Sequence, residues 1–114
     1  MKRALAPLAV TFLAFAVSAL AQDTANLVGT VKDSTGAVIP AARITVSNPE
    51  KGFTRALVSN AAGEYSAPRV PIGDYVITTE VPGFQKLVRS GVTLGVGETL
   101  RVDLTLVVGQ VNQG

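Results

Sequence analysis

Few side chains in this 114-residue chain could do chemistry. It holds neither His nor Cys, so the usual general base near neutral pH, the soft nucleophile and the common zinc ligands are missing. What remains is a scatter of carboxylates, among them Asp33, Glu50, Glu64, Asp74, Glu80, Glu98 and Asp103. A catalytic carboxylate needs burial or a charged neighbour to shift its pKa, and each of these falls in a turn or on a polar strand face, where solvated charge is the expectation. Gly95-Val96-Gly97 has the look of part of a phosphate loop, but a strand pattern follows it, so no helix N-terminus waits for an anion. Lys86, Arg89 and Arg101 could form a small basic patch, offset by Asp103 on the face of Arg101. No catalytic, cofactor-binding or metal site is expected.

Recognition of sugars would call for exposed rings to stack on. Outside the first twenty residues the aromatic side chains are Phe53, Tyr65, Tyr75 and Phe84, and there is no Trp. Phe53 and Tyr65 are the candidate ligand contacts, whereas Tyr75 alternates with Ile77 and Thr79 and reads as core.

The elements that would position these groups begin with a leader. Lys2 and Arg3 precede an uncharged stretch from Ala4 to Ala21 that exits through Gln22 and Asp23, the layout of a signal peptide. Ala19 and Ala21 place small side chains three residues and one residue before the expected cut, between Ala21 and Gln22. A membrane anchor is the competing reading, weakened by Pro7 and the small-residue exit. Cleavage takes away Lys2 and Arg3, so 10 basic residues become 8 against 8 acidic ones and the formal charge of +2 falls to zero. A neutral domain lacks the basic surplus that nucleic-acid binding requires, so no nucleic-acid partner is expected.

Beyond the leader, apolar residues recur at period two and Gly, Pro, Asn and Asp interrupt them at short intervals, which predicts an all-β sandwich of short strands. Seven are expected: 26–32, 42–47, 53–59, 64–69, 75–81, a weaker one near 85–94, and 100–106. In the last, Leu100, Val102, Leu104 and Leu106 alternate with polar residues and should face the core. Asp33 to Gly36 and Asn60 to Gly63 each put an Asx side chain first and Gly fourth, suiting type I turns, while Val81-Pro82-Gly83-Phe84 suits type II. The expected division is a signal peptide over 1–21, a single domain over 22–108, and a linker or tail starting at 109–114.

Val28-Gly29-Thr30-Val31-Lys32-Asp33 followed by Thr35-Gly36-Ala37-Val38-Ile39-Pro40-Ala41-Ala42 resembles the opening of carboxypeptidase-regulatory-like domains. Ala41 stands where that pattern often has Gly. The resemblance continues through Asn60-Ala61-Ala62-Gly63-Glu64-Tyr65, Pro71-Ile72-Gly73-Asp74-Tyr75, Pro82-Gly83-Phe84 and Gly91-Val92-Thr93-Leu94. It is closest in kind to the N-terminal domain of TonB-dependent outer-membrane receptors. It implies a seven-stranded Greek-key β-sandwich of transthyretin-like or starch-binding-like type, exported to the periplasm or outer membrane of a Gram-negative bacterium. The partner it implies is a protein, such as the plug or barrel of a transporter. A carbohydrate-binding module and the regulatory domain of a carboxypeptidase are the alternatives. The adhesin repeats of the Cna-B type are a second relative, whose internal isopeptide bond would need Lys32 and Asp103 here. These two read as ordinary surface side chains.

Overall fold

The computed structural model describes residues 23–109. The leader, with Ala19, Ala21 and Gln22 at its expected cut, lies outside them. Eight strands follow in order: β1 (Thr24–Asp33), β2 (Arg43–Asn48), β3 (Phe53–Val58), β4 (Glu64–Pro71), β5 (Gly73–Glu80), β6 (Leu87–Leu94), β7 (Thr99–Arg101) and β8 (Leu104–Leu106). One 3-10 turn, Pro49–Lys51, joins β2 to β3.

Alternating side chains oblige each strand to bury one face, and two sheets satisfy them together. In sheet I, β4 pairs antiparallel with β1, and β1 pairs parallel with both β7 and β8. Sheet II is antiparallel throughout, in the order β3-β2-β5-β6. Chain neighbours β1 and β2, β3 and β4, β4 and β5, and β6 and β7 lie in different sheets, the crossings of a Greek key. Between the sheets sit Leu27 and Val31 of β1, Ile44 and Val46 of β2, Tyr75 and Ile77 of β5, and Leu104 and Leu106 of β8, each at most 1% exposed.

The expected last strand is interrupted. Thr99–Arg101 and Leu104–Leu106 keep one register against β1, with Val28 opposite Arg101 and Val31 opposite Leu104, but Val102 and Asp103 leave the regular ladder. Gly29 permits the departure. A Cβ there would run into the Val102 carbonyl and lie 2.7 Å from the Tyr65 ring, so only a residue without a side chain lets both come this close to β1. The Tyr65 hydroxyl donates to the Val102 carbonyl, and the Asp103 carboxylate accepts from the Thr30 backbone N–H at 3.0 Å. Two side-chain bonds thus satisfy the donor and the acceptor of one missing ladder bond, and Leu100, Val102, Leu104 and Leu106 still point inward as the alternation predicts.

The turns form as read. The Asp33 carboxylate accepts from the Thr35 hydroxyl at 2.6 Å and the Thr35 and Ala37 backbone N–H groups, and the Phe84 N–H returns to the Val81 carbonyl at 3.0 Å. Ala41 adopts φ +61°, the left-handed conformation that glycine takes without penalty. Its neighbours are pinned by Ser59, whose buried hydroxyl accepts from the Ala42 N–H and donates to the Ile39 carbonyl, each at 2.8 Å.

Candidate interaction surface

The sandwich has two sides where the edge of one sheet faces the edge of the other. On the first, β3 faces β4; on the second, β6 faces β7 and β8. Both outer strands β4 and β6 carry a bulge. Ala25 opposes Val70 while Leu27 opposes Ala67, so β4 holds one extra residue around Arg69, which takes φ +53°. Tyr75 opposes Val92 while Ile77 opposes Arg89, so β6 holds one extra residue around Gly91, at φ +76°.

Each edge strand of sheet II also turns an arginine inward. On β3, Phe53, Arg55 and Leu57 share the inner face, and on β6 Arg89 lies opposite the buried Ile77, on the same side of the sheet. An inward charge on an edge strand discourages pairing with a further strand unless the newcomer brings it a partner. Arg55 is satisfied. Its guanidinium crosses to β4 and donates to the Pro68 carbonyl at 2.5 Å and the Arg69 carbonyl at 3.5 Å, while its carbon lies 5.3 Å from the centre of the Phe53 ring. The Asn26 side chain accepts from the Arg69 N–H at 3.0 Å. The bulge of β4 is therefore stitched on both flanks.

Arg89 has no hydrogen-bond or carboxylate partner among the described residues. It lines an open groove of about 540 Å³ with Ser90, Val92, Leu100, Arg101 and Asp103. Arg101 on the far wall is engaged, with Nε 3.2 Å from the Asp103 carboxylate and an Nη donating to the Thr30 hydroxyl at 2.9 Å. The basic patch expected from Lys86, Arg89 and Arg101 is thus divided: Lys86 sits 3.8 Å from Glu80 on the outer face of sheet II, and only Arg89 and Arg101 share the groove.

The other sequence candidates have structural employment. Tyr65 is 4% exposed, a correction to its place as a ligand contact, because its hydroxyl is committed to Val102 and its ring covers Gly29. Burial, with the Asp103 carboxylate nearby, pushes the Tyr65 phenol well above its ordinary value of 10.0. Phe53 is half-buried, its edge set against Tyr75 at 5.8 Å between ring centres and one face under Arg55. The Gly95 N–H of the glycine pair is taken by the Glu98 carboxylate at 2.8 Å and the Gly97 N–H by the Thr24 carbonyl at 2.9 Å, so the loop is a turn with its donors spent. Lys32 lies opposite Thr105 and does not contact Asp103. The carboxylates form no metal-binding cluster among the described residues. Asp33 alone is clearly shifted, held below its ordinary 3.8 by the Thr35 hydroxyl and the surrounding N–H groups.

Sequence reading missed Arg55, Asn26 and the unlike fates of the two inward arginines. The alternation Phe53-Arg55-Leu57 carried the first signal, since a charge between two inward apolar residues marks an edge strand. Nothing in the sequence shows which arginine finds a partner.

Two facing sheets with Greek-key crossings and their chemistry confined to edges and seams define a small β-sandwich module. The chain belongs to the carboxypeptidase regulatory-like domain family, whose model matches residues 26–107. It is 32% identical over 96 residues to the TonB-dependent transporter Oar of Myxococcus xanthus, covering 82% of this chain and 9% of that protein's length. Among solved structures it is similar to the Bacillus anthracis TIE protein, at 20% identity and TM-score 0.65 over 75% of this chain and 17% of that one. It also resembles a proposed carbohydrate-binding protein from Bacteroides uniformis, at 19% identity and TM-score 0.60 over 74% and 41% of the two chains. At such identities these two likenesses concern the fold alone.

Proposed function

We propose that this domain is the periplasm-facing N-terminal accessory module of a TonB-dependent outer-membrane transporter and works by contact rather than catalysis. The observation that carries the reading is the identity of 32% with a TonB-dependent transporter across most of the chain. In this reading residues 1–21 are an export signal cut between Ala21 and Gln22, residues 22–108 are the module, and residues from 109 onward lead toward the plug and barrel. The contact is made on the side where β6 faces β7 and β8. An extended segment added there would find main-chain donors and acceptors on an edge strand and an unengaged guanidinium, Arg89, to meet a carboxylate.

A photo-crosslinking residue in place of Thr93, on β6, tests the contact in a Gram-negative host expressing the gene with its natural downstream sequence. An adduct with the plug or barrel is expected from Thr93 and none from Thr54, on β3. Adducts from Thr54 alone would overturn the choice of side. A mature N-terminus other than Gln22, or an absence of any plug and barrel coding region beyond codon 114, would overturn the reading of the whole.

A further inference from the structure

The first and last strands of the domain lie side by side and run parallel, with Asn26, Leu27 and Val28 opposite Thr99, Leu100 and Arg101, and Val31, Lys32 and Asp33 opposite Leu104, Thr105 and Leu106. That geometry has a mechanical consequence. Tension applied through the two ends pulls β1 backward and β7–β8 forward along their common axis, so the bonds between them are loaded together in shear. Were the same strands pulled from one end, the bonds would break singly.

The bonding is continuous along this line. The Gly97 N–H donates to the Thr24 carbonyl at 2.9 Å, the Asn26 N–H to the Glu98 carbonyl at 2.8 Å and the Val102 N–H to the Val28 carbonyl at 2.9 Å. Where the ladder is interrupted, the Asp103 carboxylate takes the Thr30 N–H, Arg101 reaches the Thr30 hydroxyl, and Tyr65 of β4 holds the Val102 carbonyl from the opposite flank. Past β8 the chain is fastened once more: the Gln85 N–H donates to the Val107 carbonyl at 2.7 Å and the Gly109 N–H to the Gly83 carbonyl at 2.9 Å, tying the exit segment to the loop before β6.

We infer that β1, β7 and β8 form a shear clamp, so that the domain resists tension drawn between the two ends of its chain. The inference rests on topology and stands whether or not the partner is a transporter. The chain contains no native Cys, so a single introduced Cys is a unique attachment point.

Force spectroscopy on the full chain tests it. Pulled through its N- and C-termini, the domain should rupture in one event at about twice or more the force needed when it is pulled between Ser34→Cys and the C-terminus, because Ser34 and Leu106 lie at the same end of the parallel pair and that geometry peels β8 from β1. Asp103→Ala should lower the end-to-end force and leave the peeling force unchanged. The extension released on rupture verifies in each trace that the sandwich had folded. Equal forces in the two geometries, or an Asp103→Ala effect of the same size in both, would overturn the clamp.

Discussion

The two sides of the sandwich pose the same problem and resolve it differently. Each sets an edge strand of sheet II, carrying an inward arginine, against an edge of sheet I, and each has one bulged strand. On the β3–β4 side the bulge holds Arg69 at φ +53°, a conformation costing a non-glycine residue about 1 to 2 kcal/mol, and Arg55 and Asn26 bind the backbone groups around it. On the β6–β7–β8 side the bulge holds Gly91, for which the conformation is free, and Arg89 stays unengaged. On the first side the arginine is spent on the neighbouring strand, whereas on the second Arg89 is left to pair with a carboxylate that an incoming segment brings.

The comparison can be broken most forcefully at Gly29→Ala, which drives a methyl into the Val102 carbonyl and the Tyr65 ring behind the open side. A loss of about 3 kcal/mol is expected in urea unfolding followed by circular dichroism; a near-neutral result would mean that β7 and β8 are not seated on β1 as described. Next comes Arg55→Ala, which frees the carbonyls of Pro68 and Arg69 on a partly exposed side and should cost about 1 to 2 kcal/mol. Amide exchange should quicken in β4 and not in β6. Lysine should not restore the loss, because it lacks the fork that spans two carbonyls.

Arg89→Ala is the matching change on the open side, and its unfolding midpoint should move by less than about 0.5 kcal/mol. A cost equal to that of Arg55→Ala would erase the distinction between the two sides. Ala41 gauges the strain alone, being left-handed at φ +61° with no charged bridge over it. Ala41→Gly should stabilise by about 0.5 kcal/mol, the relief of strain being partly offset by the freer unfolded chain.

The smallest effect lies away from both sides, at Asp33. Its carboxyl is held below 3.8 in the folded state, so its contribution is present at neutral pH and is lost as pH falls through the folded value. Asp33→Asn should flatten the acid limb of stability against pH while changing neither side's amide exchange.

Much of this was legible before any coordinates. Period-two alternation fixed which faces are buried, from Leu100 through Leu106 and from Tyr75 through Thr79, because neighbouring side chains on a pleated strand must point opposite ways. Asx-to-Gly spacing gave the turns at Asp33 and Asn60, since those side chains bond their own following backbone. Even the oddity of Ala41 could be read, as a residue standing where the resembling pattern often has glycine. All of these are local properties of a few consecutive residues.

Tertiary structure alone decided the rest. The break between β7 and β8 depends on Gly29, more than seventy positions away, and on a tyrosine from a third strand. The bulges at Arg69 and Gly91 exist only as mismatches between two paired strands, which neither strand encodes by itself. Arg55 and Arg89 stand opposite buried residues of the neighbouring strands, but Arg55 is half-buried and Arg89 exposed, and only the approach of β4 to β3 gave one of them carbonyls to hold. Burial is dictated by the alternation of a single strand, but pairing, register shifts and the closure of an edge are set by where two distant segments meet.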